Sequence, residues 1–197
     1  MKFCLTLNNL LEELHLLKHT FYQSWNEGTL TLDTLKIYAK EYYHHVAAFP
    51  RYISQIHSFC PDISDRQVLL ENLIDEEKGE NNHPELSTTK ELVEGYFELV
   101  KTDYATGLGA LYAYERQTPE VSKSKIDGLK KHYSVCDEKT LEFFSIHQTA
   151  DEWHTEELIG LIDRLSKSEQ EKVAHGAMKG ARLLWSFLDG MAECHAN

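Results

Sequence analysis

The stretch "FFSIHQTADEWHTEEL", residues 143–158, decides both the fold and the chemistry. It reads as the middle of a long helix over 138–166, and it carries His147, Asp151 and His154 at offsets of four and seven. Each helical residue turns about 100°. Offset four overshoots one turn by roughly 40°, and offset seven falls short of two turns by roughly 20°. The three side chains therefore share one face. Two imidazoles and a carboxylate on one face could bind a metal; a wet surface stripe is the other reading.

Working outward, the rest of the chain also has helical periodicity. Leu7, Leu10, Leu11, Leu14, Leu17 and Phe21 mark a helix over 4–25. Thr31 or Asp33 opens a second, which Pro50 kinks or restarts before a stop at Cys60-Pro61. Asp62 or Ser64 caps a third. Residues 88–116 read as one helix whose Gly107 and Gly109 favour close packing, and 119–133 and 167–193 add two more. No stretch alternates as a strand would. The expectation is an all-α domain of about seven helices.

Bulk numbers narrow the function. A chain of 197 residues is one domain's worth, with 42% hydrophobic and 26% charged residues. A net charge of −12 and a pI near 5.3 argue against nucleic acid or an anionic membrane as main partner. No apolar run approaches the roughly 20 residues that span a bilayer. Cys4, Cys60, Cys136 and Cys194 form no CxxC pair and fit a reducing cytoplasm.

Two more stretches carry candidate ligands. "DEEKGENNH" places Glu76 and His83 seven residues apart, one above the other if the helix continues. Glu115 ends the apolar run "GLGALYAYE", so its carboxylate is expected to point inward, where it needs a partner or a proton. Together with His147, Asp151 and His154 these are three carboxylates and three imidazoles, a donor set suited to two iron or manganese ions. The spacing lacks the paired Glu-x-x-His of ferritin-like bundles. His15 and His19, also four apart, read as polar-edge residues, with an axial haem ligand as the other use of His19. Lys123 and Lys125 read as surface lysines on composition. Tyr22, Tyr38, Tyr42, Tyr43, Tyr112 and Tyr114 read as core tyrosines that would also be oxidisable phenols near a metal.

Five blocks in order carry a resemblance: "LLKHTFYQSW", "LKIYAKEYYHHVAAFPRYISQIHS", "LLENLIDEEKGENNH", "GLGALYAYERQTP" and "EFFSIHQTADEWH". The chain resembles the family of the chlamydial protein associating with death domains, within the haem-oxygenase-like, PqqC- and TenA-like helical proteins. The resemblance, which covers about residues 5–190, implies a seven-helix bundle, with 1–197 as a single domain. It implies a dimetal centre, Fe/Fe or Mn/Fe, on Glu76, His83, Glu115, His147, Asp151 and His154, with dioxygen as co-substrate and an external reductant. It implies self-sacrificing synthesis of p-aminobenzoate for folate, with Tyr22 giving the ring, Lys125 the nitrogen, and Tyr43 and Tyr114 in support. It also implies a homodimer, to which the cysteines add a cytoplasmic location, and the family name points to host death-domain proteins as partners, which would require secretion into a host. A block the family usually carries is missing between about residues 86 and 87. Two alternatives remain open at this stage: a dimetal oxygenase acting on an external small molecule, and a death-domain-binding interaction protein.

Overall fold

The computed structural model describes residues 2–76 and 86–196, and every regular element among them is helical. The helices are α1 (Lys2–Leu11), α2 (Thr20–Glu27), α3 (Leu32–Phe59), α4 (Ile63–Glu76), α5 (Ser87–Thr102), α6 (Tyr104–Glu115), α7 (Thr118–His132), α8 (Glu138–Asp163) and α9 (Lys167–Ala196). Among the described residues that is nine α-helices where the sequence reading expects seven. Two local breaks account for the difference.

The expected helix over 4–25 is interrupted at Glu12–Lys18 by two 3-10 turns. His15 and His19 both adopt extended backbone, and each imidazole Nδ1 accepts the N–H two residues on, from Leu17 at 3.3 Å and Phe21 at 3.0 Å. A side chain that satisfies an orphan donor in this way starts a helix rather than continuing one. The two histidines therefore do not share a helical face, and His19 is no polar-edge residue: it is 2% exposed. The second break is at Asp103, whose extended backbone (φ −168°, ψ 169°) ends α5 and whose carboxylate accepts the Thr106 N–H at 3.0 Å to cap α6. Pro50, by contrast, neither ends nor restarts a helix; α3 runs through it to Phe59. Thr31 caps α3, and Asp62, rather than Ser64, caps α4 by accepting the Ser64 and Asp65 N–H groups.

The stretch Ala105–Glu115 of α6 is buried at every residue, so this helix forms the centre of the bundle, with α3, α5, α8 and α9 around it. A helix apolar on all sides is stable only when enclosed in this way. Its closest neighbour is α9. A Cβ on Gly109 would sit 2.1 Å from the Val173 carbonyl oxygen, so only glycine allows that approach. The packing brings the last residues of α4 and α6, Glu76 and Glu115, toward α8, while α2 lies against α7. No described helix is long and apolar enough to cross a membrane.

Candidate metal centre

Glu76, Asp151 and His154 offer ligand atoms that all lie within 4.8 Å of one another. His147 joins them, its Nε2 standing 3.7 Å from Glu76 Oε1. The other ring nitrogen of His147 donates to the Phe143 carbonyl at 2.8 Å, which leaves Nε2 with its lone pair toward the cluster. This is how a metal-binding imidazole is oriented. His154 has Asp151 Oδ1 at 3.5 Å from Nδ1 and Asp75 Oδ2 at 3.4 Å from Nε2. Glu115 is 1% exposed, as expected of an inward carboxylate, and Oε1 accepts from Asn72 Nδ2 at 3.0 Å. His83 lies outside the described residues.

The donors fit a cation. Glu115 Oε2, Asp151 Oδ2 and His154 Nδ1 are buried with no hydrogen-bond partner. Buried polar atoms are seldom left this way without an ion or water to satisfy them. The protonation states agree. Burial, and then the Asp151 charge, pushes Glu115 up to about 8. Burial also raises Asp151. Burial opposes charge on His154, but Asp151, Glu115 and Glu76 together outweigh it and raise the imidazole to about 9. Without a metal, protons fill the centre in its place.

Beside the centre lies a compartment of phenols. Tyr114 precedes Glu115, and its hydroxyl shares a 2.5 Å hydrogen bond with that of Tyr42. Tyr42 stacks on Tyr38 at 5.4 Å and 10°, and the Tyr38 and Tyr22 hydroxyls share a bond of 2.8 Å. Burial raises all four phenols, so they stay neutral. Tyr22 is 1% exposed, enclosed by Phe21, Trp25 and Tyr38. Tyr43 is not part of this series. One residue on from Tyr42 it points about 100° around α3, and its described ring contact is His44 at 6.5 Å. Tyr38 and Tyr42, four residues apart on one face of α3, link Tyr22 to Tyr114.

Lys125 corrects the compositional reading most sharply, for it is 1% exposed while Lys123 is at the surface. Its Nζ lies 3.9 Å from the Tyr42 ring centre, 5.1 Å from Phe144, 5.2 Å from Tyr38 and 5.9 Å from Tyr22. Burial alone lowers its amine to about 7. Two further anchors position α2. His19 Nε2 bonds Asp189 Oδ1 of α9 at 3.0 Å, and Trp25 Nε1 donates to the Lys125 carbonyl at 3.4 Å. The spacing of His19 gave no hint of this role. The preference of α2 for a capping acceptor just before Thr20 was the available signal.

Fold and site define a class: an all-helical, haem-oxygenase-like bundle with a carboxylate–histidine cluster at its centre. A family of iron-containing redox enzymes matches the chain over residues 36–185, and the chain belongs to it. It is 36% identical over 223 aligned positions to a 4-aminobenzoate synthase of Chlamydia muridarum (strain MoPn / Nigg), covering 100% of this chain and 94% of that relative. That alignment is longer than the 197-residue chain, so the relative has residues without a counterpart here. Among solved structures, a CADD-like protein of unknown function from Nostoc punctiforme superposes with a TM-score of 0.78 at 17% identity, covering 100% of this chain and 98% of that one. A TenA homologue from P. horikoshii OT3 gives 0.77 at 16% identity, with 97% and 98% covered. At those identities the two structures speak for the fold alone.

Proposed function

We propose that the chain makes p-aminobenzoate from itself, with Tyr22 as the ring and Lys125 as the nitrogen. The observation that carries this reading is the enclosure of a desolvated lysine and Tyr22 in one aromatic compartment, joined to the metal-ligand cluster by Tyr38, Tyr42 and Tyr114. The names of the relatives and the iron-containing family support it.

Glu76, His83, Glu115, His147, Asp151 and His154 would hold the metals, Fe/Fe or Mn/Fe, their oxygen and nitrogen donors suiting either pair. When bound, the metals supply the oxidising power of dioxygen, with an external reductant completing the electron balance. The protein's part is positioning and proton control. A phenol that gives up an electron becomes strongly acidic and must release its proton in the same event. The hydroxyl pairs Tyr114–Tyr42 and Tyr38–Tyr22 provide an adjacent acceptor at each end of the series. The 10° stack of Tyr38 on Tyr42 joins the two pairs.

At the far end, burial lowers the Lys125 amine to about 7, so that about half of it is the free amine at neutral pH, with a lone pair available to attack. Rotation of its four-carbon stem closes the 5.9 Å to the Tyr22 ring. Two-electron oxidation of the Tyr22 ring, with dioxygen as the oxidant, makes the ring carbon that bears the hydroxyl electrophilic; the Lys125 amine bonds to it and the oxygen leaves as water. The imine shifts to Nζ=Cε as the ring regains its aromaticity, and water cleaves it, leaving the nitrogen on the ring and an aldehyde at Cε of Lys125. Breaking the Cα–Cβ bond of Tyr22 releases the ring with Cβ, which dioxygen and the external reductant take from methylene to carboxyl, and Cα takes a hydrogen, leaving glycine at residue 22. A substrate already in the chain has a very high effective concentration, which offsets the sacrifice of a protein molecule for each product.

Expression with ring-labelled tyrosine, followed by exposure to iron, manganese, reductant and dioxygen, tests the reading. Labelled p-aminobenzoate should appear with a matching loss in intact mass at residue 22, and Tyr22→Phe should retain metal yet make none. Undiminished labelled product from Tyr22→Phe refutes the assignment and points to another tyrosine of the chain, whereas undiminished unlabelled product leaves an external small molecule as substrate.

A further inference from the structure

We propose that the space filled by the Tyr22 ring is a binding site for para-substituted phenols, available once that ring is lost. Its walls come from three helices: Phe21 and Trp25 on α2, Tyr38 on α3 and Lys125 on α7, each 2% exposed or less. The walls are held from outside the cavity. His19 pins the start of α2 to Asp189, and Trp25 is fixed to the Lys125 carbonyl. A Cβ at Gly128 would lie 2.5 Å from Trp25 Cδ1, so α2 already sits as close to α7 as the chain permits. Tyr38 is clamped between Phe21 at 5.0 Å and Tyr42 at 5.4 Å. Such walls relax only partly when a buried ring is removed. A closed cavity of this kind, walled mostly by aromatic rings, takes up small aromatic molecules.

The ligand class follows from the one polar group that loses its partner. With the Tyr22 hydroxyl gone, Tyr38 is left with a buried hydroxyl whose 2.8 Å bond is unmade. A phenol restores that bond and a plain hydrocarbon ring does not, so discrimination rests on an unpaired buried group. The site therefore takes 4-methylphenol, the Tyr22 side chain cut at Cα–Cβ, in preference to toluene.

The natural occasion for this site rests on the self-cleavage reading, but the binding does not. Full-length Tyr22→Gly is unfolded thermally with 4-methylphenol, with toluene and with neither. At 4-methylphenol tenfold above its dissociation constant, Tm should rise by about 3 °C or more, with a smaller rise for toluene and none for the wild-type chain. No rise with either ligand overturns the site. An equal rise in wild type overturns its location, and equal rises for the two ligands overturn phenol recognition. If Tyr22→Gly does not fold alone, it is refolded with and without 4-methylphenol. Recovery of the helical signal only with ligand supports the site, and no recovery overturns it. No metal or dioxygen enters the measurement, so its failure leaves the labelling test of self-cleavage standing, and the reverse holds too.

Discussion

Lys125→Met isolates what the buried amine does to stability. Lysine is protonated up to about pH 10.5 when unfolded, but burial lowers it to about 7 in the folded chain. Between those values the unfolded state binds a proton that the folded state does not. The wild type therefore gains stability as pH rises through the window, and loses it as pH falls toward 7. At about 1.4 kcal/mol per pH unit, keeping this amine buried costs about 4 kcal/mol at pH 7 and about 1 kcal/mol at pH 10. Contact with the Tyr42 face, 3.9 Å away, returns part of the cost while the amine is charged. Methionine has similar length and volume and no charge, so the variant should be more stable at pH 7. That advantage should shrink by about 3 kcal/mol by pH 10. Denaturant unfolding of both proteins at pH 7, 8.5 and 10 reads the difference directly, and tyrosine ionisation at high pH cancels between them. Equal stability at pH 7, or an advantage as large at pH 10 as at pH 7, refutes the argument that Lys125 is held there against stability. The variant should also make no p-aminobenzoate, the cost in function expected when an unstable feature is kept for chemistry.

Glu115→Gln keeps the shape that accepts the Asn72 hydrogen bond but removes the charge, so metal content by elemental analysis should fall several-fold while the Tm of the metal-free chain holds or rises. Metal retention against a competing chelator should fall between pH 7.5 and about 5 and strengthen toward pH 9, because His154, raised to about 9, must lose its proton to bind; flat retention across that range would remove the histidines from the site. His19→Ala removes the cap of α2 and its tie to Asp189, and should lower stability by about 1–2 kcal/mol in urea unfolding and reduce product per chain, while leaving metal content unchanged.

The sequence by itself determined the helical class and most of the cluster. Helical periodicity is local, so the absence of strands, the shared face of His147, Asp151 and His154, and the inward turn of Glu115 could all be read from spacing and apolar runs. Caps were also legible where the usual residues carry them, as at Thr31 and Asp62. The tertiary structure decided the rest. The sequence reading ran through His15, His19 and Asp103 because histidine is an unusual cap and Asp103 lies within a continuous apolar pattern. Only the fold shows that Lys125 is buried, since α7 is polar in composition but is covered by α8 and α2. Only the fold sets Tyr38 and Tyr42, and not Tyr43, between Tyr22 and Tyr114. Which phenols meet depends on how α2, α3 and α6 pack side by side, and contacts between residues 16 and 72 positions apart leave no trace in local spacing.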